Sequence, residues 1–261
     1  MKKILSCLAL AAGLLINPAK ANTFGLDMSD LWWNPNESGW GVTLNHQGEV
    51  LFVTLFVYGA DGKATWYGAP NTPFTGNTAE GASYSGQLYQ LNGPPLGTPF
   101  SAGTVTARPV GNVTVTATSS STATLVYTVD GVQVSKTIER QTWRTNMLSG
   151  NYTGAESSSN SCLTSGPFPP EYGPTTKFVV NNTANTFSMS TGNGNETCNY
   201  NGDYTQTGRL GRSSGTYTCG NGVNGTYVAS EIEANSFSIA GRAVVKVGAC
   251  TFDNKFAGVR N

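Results

Sequence analysis

Histidine is almost missing from this 261-residue chain: His46 is the only one. A metal centre built on several imidazoles is thereby excluded. The five cysteines do not replace it, because no two of them are spaced as Cys-x-x-Cys. Charge is scarce as well. Asp, Glu, Lys and Arg together make 11% of the residues, 15 basic against 15 acidic, with no basic stripe. That leaves no electrostatic footprint for nucleic acid or an anionic membrane surface. Beyond residue 16, no apolar run approaches the roughly 20 residues a membrane-crossing helix needs. No apolar pattern of helical spacing is sustained anywhere, so no glycine-rich phosphate loop opens a helix, and nothing calls for a cofactor.

What is present begins with a leader. Lys2 and Lys3 precede an apolar stretch from Ile4 to Ile16, and Ala19-Lys20-Ala21 closes it with small residues. This is the layout of a bacterial secretory signal peptide, expected to be cut after Ala21. Cys7 has almost no apolar run before it, which argues against a lipidation site. Without Lys2, Lys3 and Lys20 the chain carries 12 basic and 15 acidic residues, a net charge near −3. The expected product is exported to the periplasm or the outside of the cell.

Export sends the remaining cysteines to an oxidising compartment. Cys162, Cys198, Cys219 and Cys250 all lie in the second half, which predicts two disulfides there. The texture changes near residue 147, after a strand-like run over 137–143. The expected division is a leader (1–21), a first β domain (22–147) and a disulfide-bonded second β domain (148–261).

Short runs of Val, Thr, Phe and Tyr alternate with Gly, Asn, Asp and Pro every eight to twelve residues. That is the pattern of antiparallel strands joined by hairpins. It predicts two all-β units of about eight strands each, as barrels or sandwiches. In the first hairpin, a turn at Gln47-Gly48 would set His46 opposite Glu49, Leu44 opposite Leu51, Val42 opposite Val53 and Trp40 opposite Leu55. A three-residue loop closing at Gly62 sets Trp66 across from Phe56, on the face that carries Phe52. Val129-Asp130-Gly131-Val132 reads as a type I′ turn. In the second half, Cys198 and Cys219 flank a hairpin turning near Gly208 to Gly211 and should oppose one another. Closure of the last strand on the first would bring Cys250 to Cys162.

The strand from Val50 to Tyr58 is therefore apolar on both faces. Either its second face is covered, as another core layer or a contact between the two halves, or Phe52, Phe56 and Trp66 form an exposed stacking platform. Trp32 and Trp33 point to opposite faces if extended, so one seals the barrel and the other is left to meet solvent or a ligand.

Trp32-Trp33-Asn34-Pro35-Asn36-Glu37-Ser38-Gly39-Trp40-Gly41 is an unusual run. With His46-Gln47-Gly48, Tyr58-Gly59-Ala60-Asp61-Gly62, Gly93-Pro94 and Tyr127-Thr128-Val129-Asp130-Gly131-Val132, it resembles a group of exported proteobacterial β-proteins carrying a WWNPxESGWG motif. The likeness covers residues 30–143. Tyr204 to Gly211, Gly215 to Cys219 and Gly258-Val259-Arg260 are similar to segments attached to such domains. The resemblance implies export and a shared fold; it implies no reaction. A looser likeness to avidin- and lipocalin-type barrels rests on the tryptophan-bearing first strand and the meander alone.

Chemistry is thinly marked. Glu37 and His46 could act as a general acid–base pair with Ser38 as nucleophile, which makes a secreted hydrolase the second reading. Yet Asn34-Pro35 already explains a turn at Glu37-Ser38. Asp27, Asp30, Glu37 and Glu49 supply carboxylates, but no spacing singles out a pair. The favoured expectation is a non-catalytic recognition protein, without metal or cofactor. Its ligand would be a glycan, a small apolar molecule or an envelope component, bound through Trp32, Trp33, Phe52, Phe56 or Trp66. A structural or adhesive surface protein, consistent with the Thr, Ser, Asn and Gly content, is the third reading.

Overall fold

The computed structural model describes residues 26–161, 171–172, 176–192, 197–220 and 222–261. The expected leader and Cys162 lie outside the described residues. The protein is all-β, with one 3-10 turn at Ala102–Thr104 among the described residues, and of the barrel and sandwich alternatives it takes the barrel, twice.

The first barrel is an up-and-down meander of β1 (Asp30–Trp33), β2 (Gly41–Gln47), β3 (Val50–Tyr58), β4 (Ala64–Asn77), β5 (Ala82–Asn92), β6 (Thr106–Ala117), β7 (Thr122–Val129) and β8 (Val132–Arg140). It closes where Trp32 and Trp33 of β1 meet Arg140 and Glu139 of β8. Val42, Leu44, Leu51, Val53, Leu55, Val113, Val115 and Leu125 alternate inward and are fully or almost fully buried. Each such side chain contributes about 1.5–3 kcal/mol of burial. An eight-stranded barrel is just wide enough for side chains to fill it. Trp32, also buried, completes the packing.

The turns follow the sequence with one correction. Asp130 (φ 48°) and Gly131 (φ 86°) form the expected type I′ turn, with Val129 opposite Val132. In the first hairpin, however, the turn is Gly48-Glu49 rather than Gln47-Gly48. Gln47 pairs with Val50, His46 with Leu51, Leu44 with Val53 and Val42 with Leu55. Gly48, at φ 60°, takes the first central position of the turn, where a type II′ geometry needs glycine. The correction moves the pairing by two residues, so every side chain keeps its expected face.

The second barrel runs through β9 (Gly150–Asn160), β11 (Thr176–Asn182), β12 (Thr186–Gly192), β13 (Thr197–Thr207), β14 (Leu210–Cys219), β15 (Asn224–Ala234), β16 (Ser238–Val247) and β17 (Cys250–Arg260). A two-residue β10 (Glu171–Tyr172) continues the edge of β9 beyond β11, and β17 pairs back on β9. Cys198 lies directly opposite Cys219 and is bonded to it. Cys250 is also disulfide-bonded. The core here combines Tyr152, Tyr200, Tyr204, Tyr227, Phe178, Phe187 and Phe256 with eight non-aromatic apolar residues, Ile232, Ile239 and Val245 among them.

Candidate functional site: an aromatic outer wall

On the outer side of β2, β3 and β4, Gly41 pairs with Phe56, Thr43 with Thr54 and Asn45 with Phe52. Phe56 pairs in turn with Trp66, as the sequence predicts. The rings are not a second core layer. Phe52, Phe56, Tyr58 and Trp66 keep 44, 39, 58 and 48% of their surface. Nor are Phe56, Tyr58 and Trp66 a seam between the barrels, because they sit at the end of the first barrel remote from the second.

Their posture is set by glycines. A β-carbon on Gly41 would collide with the Phe56 ring, so that ring lies down across Gly41. Trp66 Cζ3 would stand 3.8 Å and Leu91 Cδ1 3.4 Å from a β-carbon on Gly68, and the Tyr58 hydroxyl 3.3 Å from one on Gly39. Covering a bare glycine with an aromatic ring protects the sheet. Thr43, Thr54 and Asn45 put hydroxyls and an amide between the rings, and Phe52 and Phe56 are separated along β3 by about 13 Å.

The corner from Asn34 to Trp40 is a clamp. Asn34 accepts hydrogen bonds from Asn36 N–H on its side chain, at 2.9 Å, and from Glu37 N–H on its carbonyl, at 3.0 Å. The Glu37 carboxylate accepts from Lys136 Nζ at 2.8 Å and from Trp40 Nε1 at 3.0 Å. Lys136 belongs to β8, so this contact bridges the closing seam where the short β1 has already ended. The hydrogen bond from Lys136 holds the Glu37 carboxyl below the ordinary range. Trp32 is buried and donates to the Met28 carbonyl at 3.0 Å. Trp33 points the other way and is half-buried.

His46 lies toward the opposite end of β2. Its Nδ1 accepts from Met28 N–H at 3.2 Å, its main-chain N–H donates to Ser29 Oγ at 2.9 Å, and its ring meets Tyr84 edge-on at 5.4 Å. It anchors the segment entering β1. Glu37 precedes the first residue of β2 and His46 is the sixth, a separation of about 17 Å along the strand. The structure does not bring the acid–base pair together.

The sequence reading missed the junction between the barrels. Arg140 is buried with its guanidinium 4.6 Å from the Trp32 ring centre. It donates to the Ser120 carbonyl at 2.7 Å, to the Ser29 carbonyl and Asp30 at 3.1 Å, and to the Asp27 carbonyl. The β13–β14 turn of the second barrel docks on this end. Gly208 presses so closely on Arg140 that a β-carbon would collide with it. Arg209 reaches Asp27 at 2.6 Å and Glu233 at 2.7 Å. The only signal for this was the distinctive Thr207-Gly208-Arg209-Leu210-Gly211 run.

No family model and no curated protein sequence matches the chain. Among solved structures, one from Bacteroides fragilis NCTC 9343, provisionally described as an outer membrane protein, is 15% identical. It covers 81% of this chain and 89% of its own, with a TM-score of 0.31. A likeness that loose carries no argument about function. No helix among the described residues is long and apolar enough to cross a membrane.

Proposed function

We propose that the protein is an exported, non-catalytic recognition protein that binds glycan chains on the aromatic outer wall of its first barrel. The observation that carries this reading is the exposed row of Phe52, Phe56, Tyr58 and Trp66 on one outer face, with the Phe56 ring packed on Gly41. Sugar rings present flat C–H faces to such surfaces and hydroxyls to a polar rim, here Thr43, Thr54 and Asn45. A small apolar ligand requires enclosure, and the first barrel's interior is already filled by its own side chains. In this reading the leader (1–21) directs export, residues 22–147 recognise the ligand, and residues 148–261 form a companion domain with a second disulfide between Cys162 and Cys250.

The test is tryptophan fluorescence of the exported form titrated with a panel of neutral polysaccharides and their oligosaccharides. A saturable change in the wild type, lost in Trp66→Ala with unaltered thermal unfolding, is the expected outcome. Stacking of this kind is worth about 0.5–1.5 kcal/mol per ring beyond area burial, so affinity should fall about tenfold. Binding that survives the loss of both Trp66 and Phe56 would remove the aromatic wall from consideration.

A further inference from the structure

A second place in the molecule has the marks of a binding site, and it lies away from the aromatic wall. On the outer face of the second barrel, Arg242 of β16 stands directly opposite Lys255 of β17. Two like charges on one rung of a sheet repel each other and weaken it. The pair faces an open cleft of about 700 Å³ between the barrels. Thr78, Glu80, Ser119 and Ser120, from the β4–β5 and β6–β7 turns of the first barrel, form the opposite wall.

The carboxylates nearby do not saturate this pair. Arg242 lies 3.9 Å from Glu231 and 3.9 Å from Asp253, close enough for attraction but beyond hydrogen-bond reach. Among the described residues neither the Arg242 guanidinium nor the Lys255 ammonium donates a hydrogen bond, although the first carries five N–H donors and the second three. Glu80, the carboxylate on the far wall, accepts from its own turn through Thr78 Oγ1 at 3.2 Å. Glu231 has a left-handed backbone, φ 54°, within the irregularity where the β15–β16 register jumps between Ser230 and Glu233. A non-glycine residue adopts that conformation at a cost, and a bulge re-aims a side chain. Here the re-aimed side chain is the one that flanks Arg242.

We propose that Arg242 and Lys255 form an oxyanion subsite in the cleft between the barrels, taking the carboxylate or phosphate group of a small ligand. The guanidinium fork offers paired donors to two oxygens, and Lys255 adds a point charge from the neighbouring strand. An anion between them would offset the mutual repulsion of the two cations.

The experiment is calorimetric titration of the whole protein with inorganic phosphate, glucuronate and neutral glucose, at low and high sodium chloride. Phosphate or glucuronate should bind saturably, glucose should not, and added salt should weaken binding. Arg242→Gln and Lys255→Gln should each weaken it at least tenfold. Both side chains are outside the core, so the variants should melt no lower than the wild type. A readout free of substitutions is the Arg242 Nε resonance, which should move on titration. Response to phosphate alone or to glucuronate alone supports the subsite and identifies the source of the oxyanion. Failure of both anions to bind, or binding retained in the double variant, overturns it.

Discussion

The two barrels share a meander and a strand count, yet they fill their interiors in opposite ways. The first packs mostly aliphatic side chains inside, with Trp32 and Tyr84 the aromatics of its buried cluster and Trp40, Tyr67, Phe74 and Tyr127 half-buried against it, and carries Phe52, Phe56, Tyr58 and Trp66 outside. The second draws its rings inward, with four tyrosines and three phenylalanines in the core. Where a ring enters, a glycine faces it: Phe256 lies against Gly241, Tyr204 against Gly211, and Tyr152 and Phe178 against Gly258. The same aromatic–glycine pairing thus makes an exposed surface in one barrel and a core in the other. The side of the sheet decides which.

Tyrosine cores carry an obligation that leucine cores do not, because every hydroxyl taken inside needs a partner. Tyr152 donates to the Leu148 carbonyl at 2.7 Å, and the Tyr227 and Ser213 hydroxyls meet at 2.6 Å. Tyr200 reaches Glu156 and Asn254 at 3.4 Å each. The second barrel is also the one that holds the disulfides. A small domain this polar and glycine-rich needs such a staple.

The comparison breaks most visibly if the first barrel loses Trp32. Trp32→Ala opens a cavity and removes the ring beneath Arg140, which should cost about 3–5 kcal/mol. Calorimetry should show an early transition from the first barrel while the second melts where it did before. A single transition that moves as a whole would mean instead that the Arg209 junction couples the two. Next in size is the Cys198–Cys219 bond. Replacing both residues with serine should cost the second barrel about 3 kcal/mol, with near-ultraviolet tyrosine signals lost first and Trp32 fluorescence unaffected.

Smallest is a difference in pH response. In the first barrel, the Arg108 hydrogen bonds hold Asp130 below the usual range and the Lys136 hydrogen bond does the same for Glu37. At the junction burial opposes the shift of Asp27, but the Ser29 hydrogen bonds and Arg209 outweigh it. Their stabilisation is present above the ordinary carboxylate values and is lost as pH falls through the lowered ones. Glu156 is the reverse. Burial pushes its carboxyl up, against Tyr200 and Asn254, so its contribution is present at acid pH and is lost as pH rises through the raised value. As pH rises above the ordinary carboxylate range, the second barrel of the wild type should lose stability that Glu156→Gln retains. Identical pH profiles for the two proteins would show that Glu156 does not set this response.

Strand positions were legible because turn chemistry and alternation are local. Both halves appear as meanders, Phe56 opposes Trp66 and Cys198 opposes Cys219, as the sequence predicts. The first hairpin slipped because Gln47-Gly48 and Gly48-Glu49 are both acceptable two-residue turns, and parity preserved the faces regardless. What could not be read was tertiary. Glu37 meets Lys136 across 99 residues and Arg209 meets Asp27 across 182. Whether an aromatic face is covered depends on where the second barrel docks, which no local pattern records. The candidate site was therefore legible as a set of residues, but not as a surface.

One consequence follows from the brevity of β1. Its four residues are all that lie between β2 and β8, and its pairing to β8 spans only Trp32 and Trp33. If β1 is peeled away, the ring becomes a seven-stranded open sheet with bare amide and carbonyl rows on two long strands. Such edges recruit other chains. The Trp32–Trp40 corner, with its Glu37–Lys136 clamp, therefore guards the closure of the ring as much as its shape: a nick in the turn between Asn34 and Gly39 would convert a closed barrel into a template for strand exchange.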